Sequence, residues 1–139
     1  MRQAIGELEV PTRGQGLVEM TRDVCGWVAE QGMTTGLLTL FCRHTSASLL
    51  VQENAAQEVR DDLLAYFARI APESRTAYAH DDEGQDDMPA HLRTALTGVD
   101  LSIPVANGRP VLGTWQGIYL FEHRRAPHRR RIALHLLGE

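Results

Sequence analysis

The stretch LLTLFCRHTSASLLVQEN, residues 37–54, holds two short apolar runs, 37–44 and 48–53, on either side of the polar turn Thr45-Ser46-Ala47. Each run is too short for a typical helix and is bounded by turn residues, so each reads as a core β-strand. Downstream the period changes. Val59, Leu63, Tyr66, Phe67 and Ile70 recur at helical spacing until Pro72, which predicts a helix with one apolar stripe. Upstream, Val24, Trp27 and Val28 predict a helix from about Arg22 to Gln31, with Thr21 as its cap and Gly32 closing it. Residues 2–10 alternate loosely before Pro11, and the turn cluster at 12–16 makes them a strand entering a hairpin.

An acid-rich loop, 73–88, leads into PAHLRTALTG at 89–98, where Pro89 suits the first helical position and Gly98 the C-terminal cap. From Leu101 onward the pattern is β: LSIPV, the hairpin signal Asn107-Gly108, VLGTWQGIYLFEH at 111–123 and RRIALHLL at 130–137. Strands and helices in this mixed order predict an α+β protein. The 139 residues suit one compact domain, a mixed or antiparallel sheet packed with about three helices and ending in antiparallel hairpins.

All 14 basic side chains are arginine. Without a lysine, Schiff-base, P-loop and pyridoxal-phosphate chemistries are closed. The net charge of −4 disfavours a sequence-wide polyanion binder, so nucleic acid is not the expected partner. No apolar run is long enough to span a membrane and no signal peptide is visible, which gives a cytoplasmic expectation. Cys25 and Cys42 lie in apolar stretches without metal or redox spacing and read as reduced, buried thiols.

Six histidines are present, and three of them, His44, His80 and His91, stand in polar settings next to turns. None fits a standard zinc spacing, yet Asp81 and Asp82 follow His80, and Asp86 and Asp87 precede His91. Carboxylates so placed can ligate a metal or orient imidazoles, and three histidines would leave a position open for water or substrate. The bland alternative is a solvated acidic loop. Such ligands admit zinc, magnesium or manganese. Thr45, Ser46 and Ser48 crowd hydroxyls and amides beside His44, a setting that suits phosphate. Glu53 and Asn54 end the next strand and read either as a helix entry or as polar groups facing the cleft of His44. GTWQ, 113–116, reads as strand, with Gly113 marking a close backbone approach and Trp115 a core, interface or substrate-facing ring. The arginines at 124–131 suit phosphate by their fork geometry, a solvated turn being the default. His123, His128 and His135 read as surface or half-buried side chains.

HTSASLLVQEN (44–54), YAHDDEGQDDMPAHL (78–92) and NGRPVLGTWQGIYLFEHR (107–124), in this order, resemble the YjbQ-like family, described as secondary thiamine-phosphate synthases. The resemblance implies an α+β homotrimer with histidines near a subunit boundary. It implies chemistry joining a pyrimidine pyrophosphate to a thiazole phosphate, a small phosphorylated substrate, with release of pyrophosphate. By the same match His44, His80 and His91 are the metal ligands. Glu53, Asn54, Asp87 (or Asp86) and Gln116 fall to catalysis, and Thr45, Ser46, Ser48, Thr114, Trp115 and Arg131 to substrate and phosphate. Glu122 and Arg131 match the late Glu and Arg, and Arg93 stands as a surface cation. The alternatives are a metal-dependent phosphoester hydrolase, a trimeric metal- or ligand-binding protein without turnover, and an accessory protein meeting nucleic acid through the arginine turn.

Overall fold

Both halves of the 37–54 stretch are strands, β3 (Gly36–Cys42) and β4 (Ala47–Glu53), but they enter different sheets. In the computed structural model, which describes residues 1–139, the chain before them supplies β1 (Arg2–Pro11), β2 (Gly16–Glu19) and α1 (Thr21–Glu30). After them come α2 (Gln57–Ile70), α3 (Asp87–Thr97), β5 (Asp100–Ala106), β6 (Arg109–Pro110), β7 (Gln116–Glu122) and β8 (Arg129–Gly138). The architecture is α+β, with every strand pair antiparallel. A five-stranded sheet runs β1-β8-β3-β5-β6 and a three-stranded sheet runs β2-β7-β4.

One core fills the space between the sheets. Leu38, Leu40, Ile132, Leu134 and Leu136 of the larger sheet meet Leu49, Ile118 and Leu120 of the smaller, and Val24 and Val28 of α1 close one side. Period-two alternation produces this directly, because residues two apart on a strand share a face. The smaller sheet is covered on its other face as well, α3 packing along β4 and Phe67 of α2 meeting Phe121 edge-on at 5.4 Å. β7 is therefore buried on both faces from Gly117 onward.

Four expectations change in detail. β1 does not enter a hairpin with β2; it pairs with β8, and β2 with β7, so the turn at 12–16 carries the chain between sheets. Likewise β7 and β8 follow one another in sequence but lie in different sheets, leaving β5–β6 as the C-terminal hairpin. That hairpin turns on Asn107 (φ 52°) and Gly108 (φ 73°), the left-handed pair expected of an Asn-Gly turn. Gly113, Thr114 and Trp115 form a turn ahead of β7 rather than strand. Thr21 makes no capping bond to α1: its hydroxyl donates to Glu19 and accepts the Ile118 N–H, tying the helix to β7.

Candidate functional site

α3 places Asp87 and His91 one turn apart on one face, as the i, i+4 spacing requires. The 73–88 loop folds back so that His80 and Glu83 meet them, and one ligand atom from each of His80, Glu83, Asp87 and His91 lies within 4.8 Å of the others. Asp87 is the centre. It is buried, and its Oδ2 stands 2.8 Å from His80 Nε2 and 3.1 Å from His91 Nε2. His91 Nδ1 donates to the Thr45 carbonyl at 2.7 Å, which leaves Nε2 as the lone-pair nitrogen of the neutral ring. That lone pair and the carboxylate oxygen face each other, an arrangement that only a cation between or beside them relieves: a proton or a metal.

The charges agree. The hydrogen bond to Asp87 raises the His80 pKa above its ordinary value, outweighing desolvation, with Asp82 and Glu83 adding to the rise. Burial works to raise the Asp87 pKa, but hydrogen bonds with His80 and Glu83 and the charges of His91 and Arg124 hold it below the usual carboxylate range. Two imidazoles and two carboxylates converging on a helix start, one imidazole held in its metal-ready tautomer by a backbone carbonyl, fit a divalent metal ion. The donor set supports a divalent-metal site.

His44 departs from the expected ligand set. Its Nε2 accepts the Arg131 N–H at 2.7 Å, so its one lone pair is committed and the ring stands outside the cluster. Burial, with the nearby Arg130 charge, lowers its pKa and keeps it neutral, as an acceptor must be. It lines a cavity of about 800 Å³ together with Phe41, Cys42, Thr45, Val99 and His91. His91 thus belongs to both the cluster and the cavity wall.

The remaining residues divide between two ends of the smaller sheet. Thr45 is exposed at the histidine end, whereas Ser46 is mostly buried and its Oγ accepts from Arg130 at 3.0 Å. Ser48 is fully buried, 2.8 Å from His123 Nε2 and 2.6 Å from Thr97, and so is not open to phosphate. Glu53, Asn54, Thr114, Trp115 and Gln116 lie at the opposite end of β4 and β7, because Glu53 is paired with Gln116 while Ala47 is paired with Glu122. Six residue steps of strand separate the two groups by about 20 Å, and one chain does not join them in a single cleft. Asn54 is no helix cap; its amide donates to Glu19, and the Glu53 carboxylate accepts the Ala56 N–H ahead of α2. Trp115 is 63% exposed.

The late Glu–Arg pair is Glu122 with Arg130, not Arg131. Both are buried and directly bonded, with Thr12 Oγ1 donating to Glu122 at 2.7 Å. Arg131 is exposed, beside Glu7. Arg93 is not a surface cation: it is 4% exposed and donates to the Ala71 carbonyl. Period two along RRRIALHL would have found Arg130, since Ile132, Leu134 and Leu136 share its face. Glu83 carried no comparable signal, as loop folding alone brings it in. His123 is fully buried, and burial, with Arg93 adding, lowers its pKa to about 3.

A family model described as UPF0047 protein YjbQ-like matches residues 6–139. The chain is 48% identical over 132 residues to the UPF0047 protein sll1880 of Synechocystis sp., covering 95% of this chain and 90% of that protein. It is 41% identical over 133 residues to the UPF0047 protein YjbQ of Escherichia coli O157:H7, covering 95% and 96%. Among solved structures, a conserved hypothetical protein from Thermus thermophilus superposes with a TM-score of 0.85 at 40% identity, covering 95% of this chain and 99% of that one.

Proposed function

The chain belongs to the YjbQ-like UPF0047 family, and from that premise we propose that it is a metal-dependent transferase resembling a secondary thiamine-phosphate synthase, joining a pyrimidine pyrophosphate to a thiazole phosphate. The observation that carries the reading is the convergence of His80, Glu83, Asp87 and His91 beside a cavity with apolar walls. These four residues hold the divalent ion, which when bound supplies positive charge for a leaving pyrophosphate. The two imidazoles suit zinc better than magnesium, while the two carboxylates also admit manganese.

The chain's own groups supply the rest. Phe41, Val99 and the Cys42 side bury the ring portion of a substrate in the cavity. Thr45, exposed at its rim, and Arg43 and Arg131, exposed nearby, meet phosphate oxygens; no lysine is present to do so. Asp87 favours a proton on His80, which is released to solvent when the ion takes its place. Glu53, Asn54, Thr114, Trp115 and Gln116 reach such a site only from a neighbouring subunit, and a homotrimer supplies that neighbour. Leu37, Phe41 and Leu137, all exposed on the outer face of the five-stranded sheet, support association. Two unpaired thiols support a reducing, cytoplasmic setting.

The test is metal analysis of the purified protein, followed by pyrophosphate release from the two precursors with and without chelator. Metal-dependent release is expected, lost in His91→Ala. Metal-dependent phosphoester hydrolysis without pyrophosphate release replaces the transferase with a hydrolase at the same site, and metal binding with neither activity leaves a ligand-binding protein.

A further inference from the structure

Arg124 follows β7 and reads in the sequence as one arginine of a solvated turn. Its guanidinium instead bonds the segment that carries the cluster through all three of its nitrogens. Nε donates to Asp86 Oδ2 at 3.0 Å, Nη1 to Asp87 Oδ1 at 2.7 Å and Nη2 to the Glu83 carbonyl at 2.8 Å. The Asp86 oxygen also accepts the Arg125 N–H at 2.9 Å. Arg124 is itself anchored from below: its backbone N–H donates to Glu122, the carboxylate locked to Arg130 in the interior. The loop makes room for this contact at Gly84, whose φ of +106° excludes most side chains and whose added Cβ would lie 3.1 Å from Asp86 Oδ1.

One oxygen of Asp87 therefore faces Arg124 and the other faces the two imidazoles. We propose that Arg124 is a positioning residue that makes Asp87 a one-oxygen ligand: by holding Oδ1 it fixes the carboxylate plane and leaves only Oδ2 to the metal. The proposal rests on the metal reading of the cluster and adds a residue that touches neither metal nor substrate. A guanidinium does this where an ammonium does not, because its fork reaches Asp86, Asp87 and the Glu83 carbonyl at once. Without it the Asp87 carboxylate is free to turn and chelate through both oxygens, which raises the coordination number.

The test loads the full-length protein with Co²⁺ and compares wild type, Arg124→Gln and Arg124→Lys. Affinity is read by competition with a chelating dye, coordination by visible absorption, and folding by melting in EDTA. A hydrogen-bond partner that holds a metal ligand from outside is worth about 10–100-fold in metal affinity. Arg124→Gln is expected to lose that much and to show a weaker visible band, as a higher-coordinate ion does, while Arg124→Lys recovers only part of either. A folded Arg124→Gln protein with unchanged affinity and spectrum overturns the proposal. Should Arg124→Gln fail to fold, Asp86→Asn loosens the same clamp without touching Asp87, and a several-fold loss is expected; no loss overturns the proposal. If wild type takes up no Co²⁺ at all, it is the metal reading that falls.

Discussion

A neutral imidazole has one lone pair, and where that lone pair goes separates the histidines. His91 gives its proton-bearing nitrogen to the Thr45 carbonyl and keeps the other for the cluster; His44 spends its lone pair on the Arg131 N–H. His91→Ala should therefore lose at least tenfold in metal affinity, while His44→Ala keeps its metal content, both read by elemental analysis after dialysis. Equal losses would return His44 to the ligand set. His123 makes a different prediction. The unfolded chain protonates it near the ordinary value of 6.5, but the folded protein does so only at about 3. Between those values the unfolded state binds the extra proton, so stability falls as pH falls, by about 1.4 kcal/mol per pH unit. Denaturant titrations between pH 6 and pH 4 should show a flatter slope in His123→Gln; an unchanged slope would mean that the imidazole is already charged inside the fold. Nothing in the sequence marked His123 as buried, because its environment comes from α2 and α3 closing over β7.

Among the elements, α2, α3 and the β5–β6 hairpin were legible because their signals are local: a 3.6-residue stripe, Gly98 closing a helix, an Asn-Gly turn; α3 nonetheless begins at Asp87, with Pro89 inside its first turn rather than at the first position. Partners of strands were not, since alternation says which face a residue takes and not which strand lies beside it. The turn at 12–16 shows the limit: it crosses between sheets where a hairpin was expected. What fastens the sheets at that end is the buried Glu122–Arg130 pair, with Thr12 from the turn as third member. Burial pushes the Glu122 pKa up, but the bonds from Arg130 and Thr12 hold it below its ordinary 4.5. The pair's contribution is thus complete above that value and is lost as pH drops through the lower folded one. Glu122→Gln, which strands a buried guanidinium, should cost about 3–5 kcal/mol at neutral pH by chemical denaturation. A cost under 1 kcal/mol would mean that water reaches Arg130. In the 73–88 loop, Gly84→Ala should lower metal affinity together with melting temperature, because Arg124 and Asp86 must shift to admit the methyl group.

For the whole molecule, the outer face of the five-stranded sheet carries the next prediction. Alternation that turns Leu38 and Leu40 inward turns Leu37 and Phe41 outward, with Leu137 beside Leu37 and Ala133 beside Phe41. These apolar side chains stand on that face among Thr39, His135, Glu7 and Arg131, and a second copy seated there would bury them. Light scattering after gel filtration should give a trimer that Phe41→Glu shifts towards monomer; a monomeric wild type would leave the Glu53, Asn54 and Gln116 end at the far end of the smaller sheet, about 20 Å from its histidine end, with no means of joining the cluster. By itself the sequence determined what is short-range: the α+β class, α2 and α3, and the period-two faces; that α3 begins early enough to carry Asp87 with His91 came from the structure. The tertiary structure decided which atoms meet. Glu83 joins the cluster only when the loop folds back, Arg130 rather than Arg131 finds Glu122, and His44 is withdrawn by a backbone N–H from β8. The physical reason is that helix and strand periods follow from backbone geometry within a few residues, whereas a ligand atom or a lone pair is assigned by groups that only the packed fold brings within hydrogen-bonding reach.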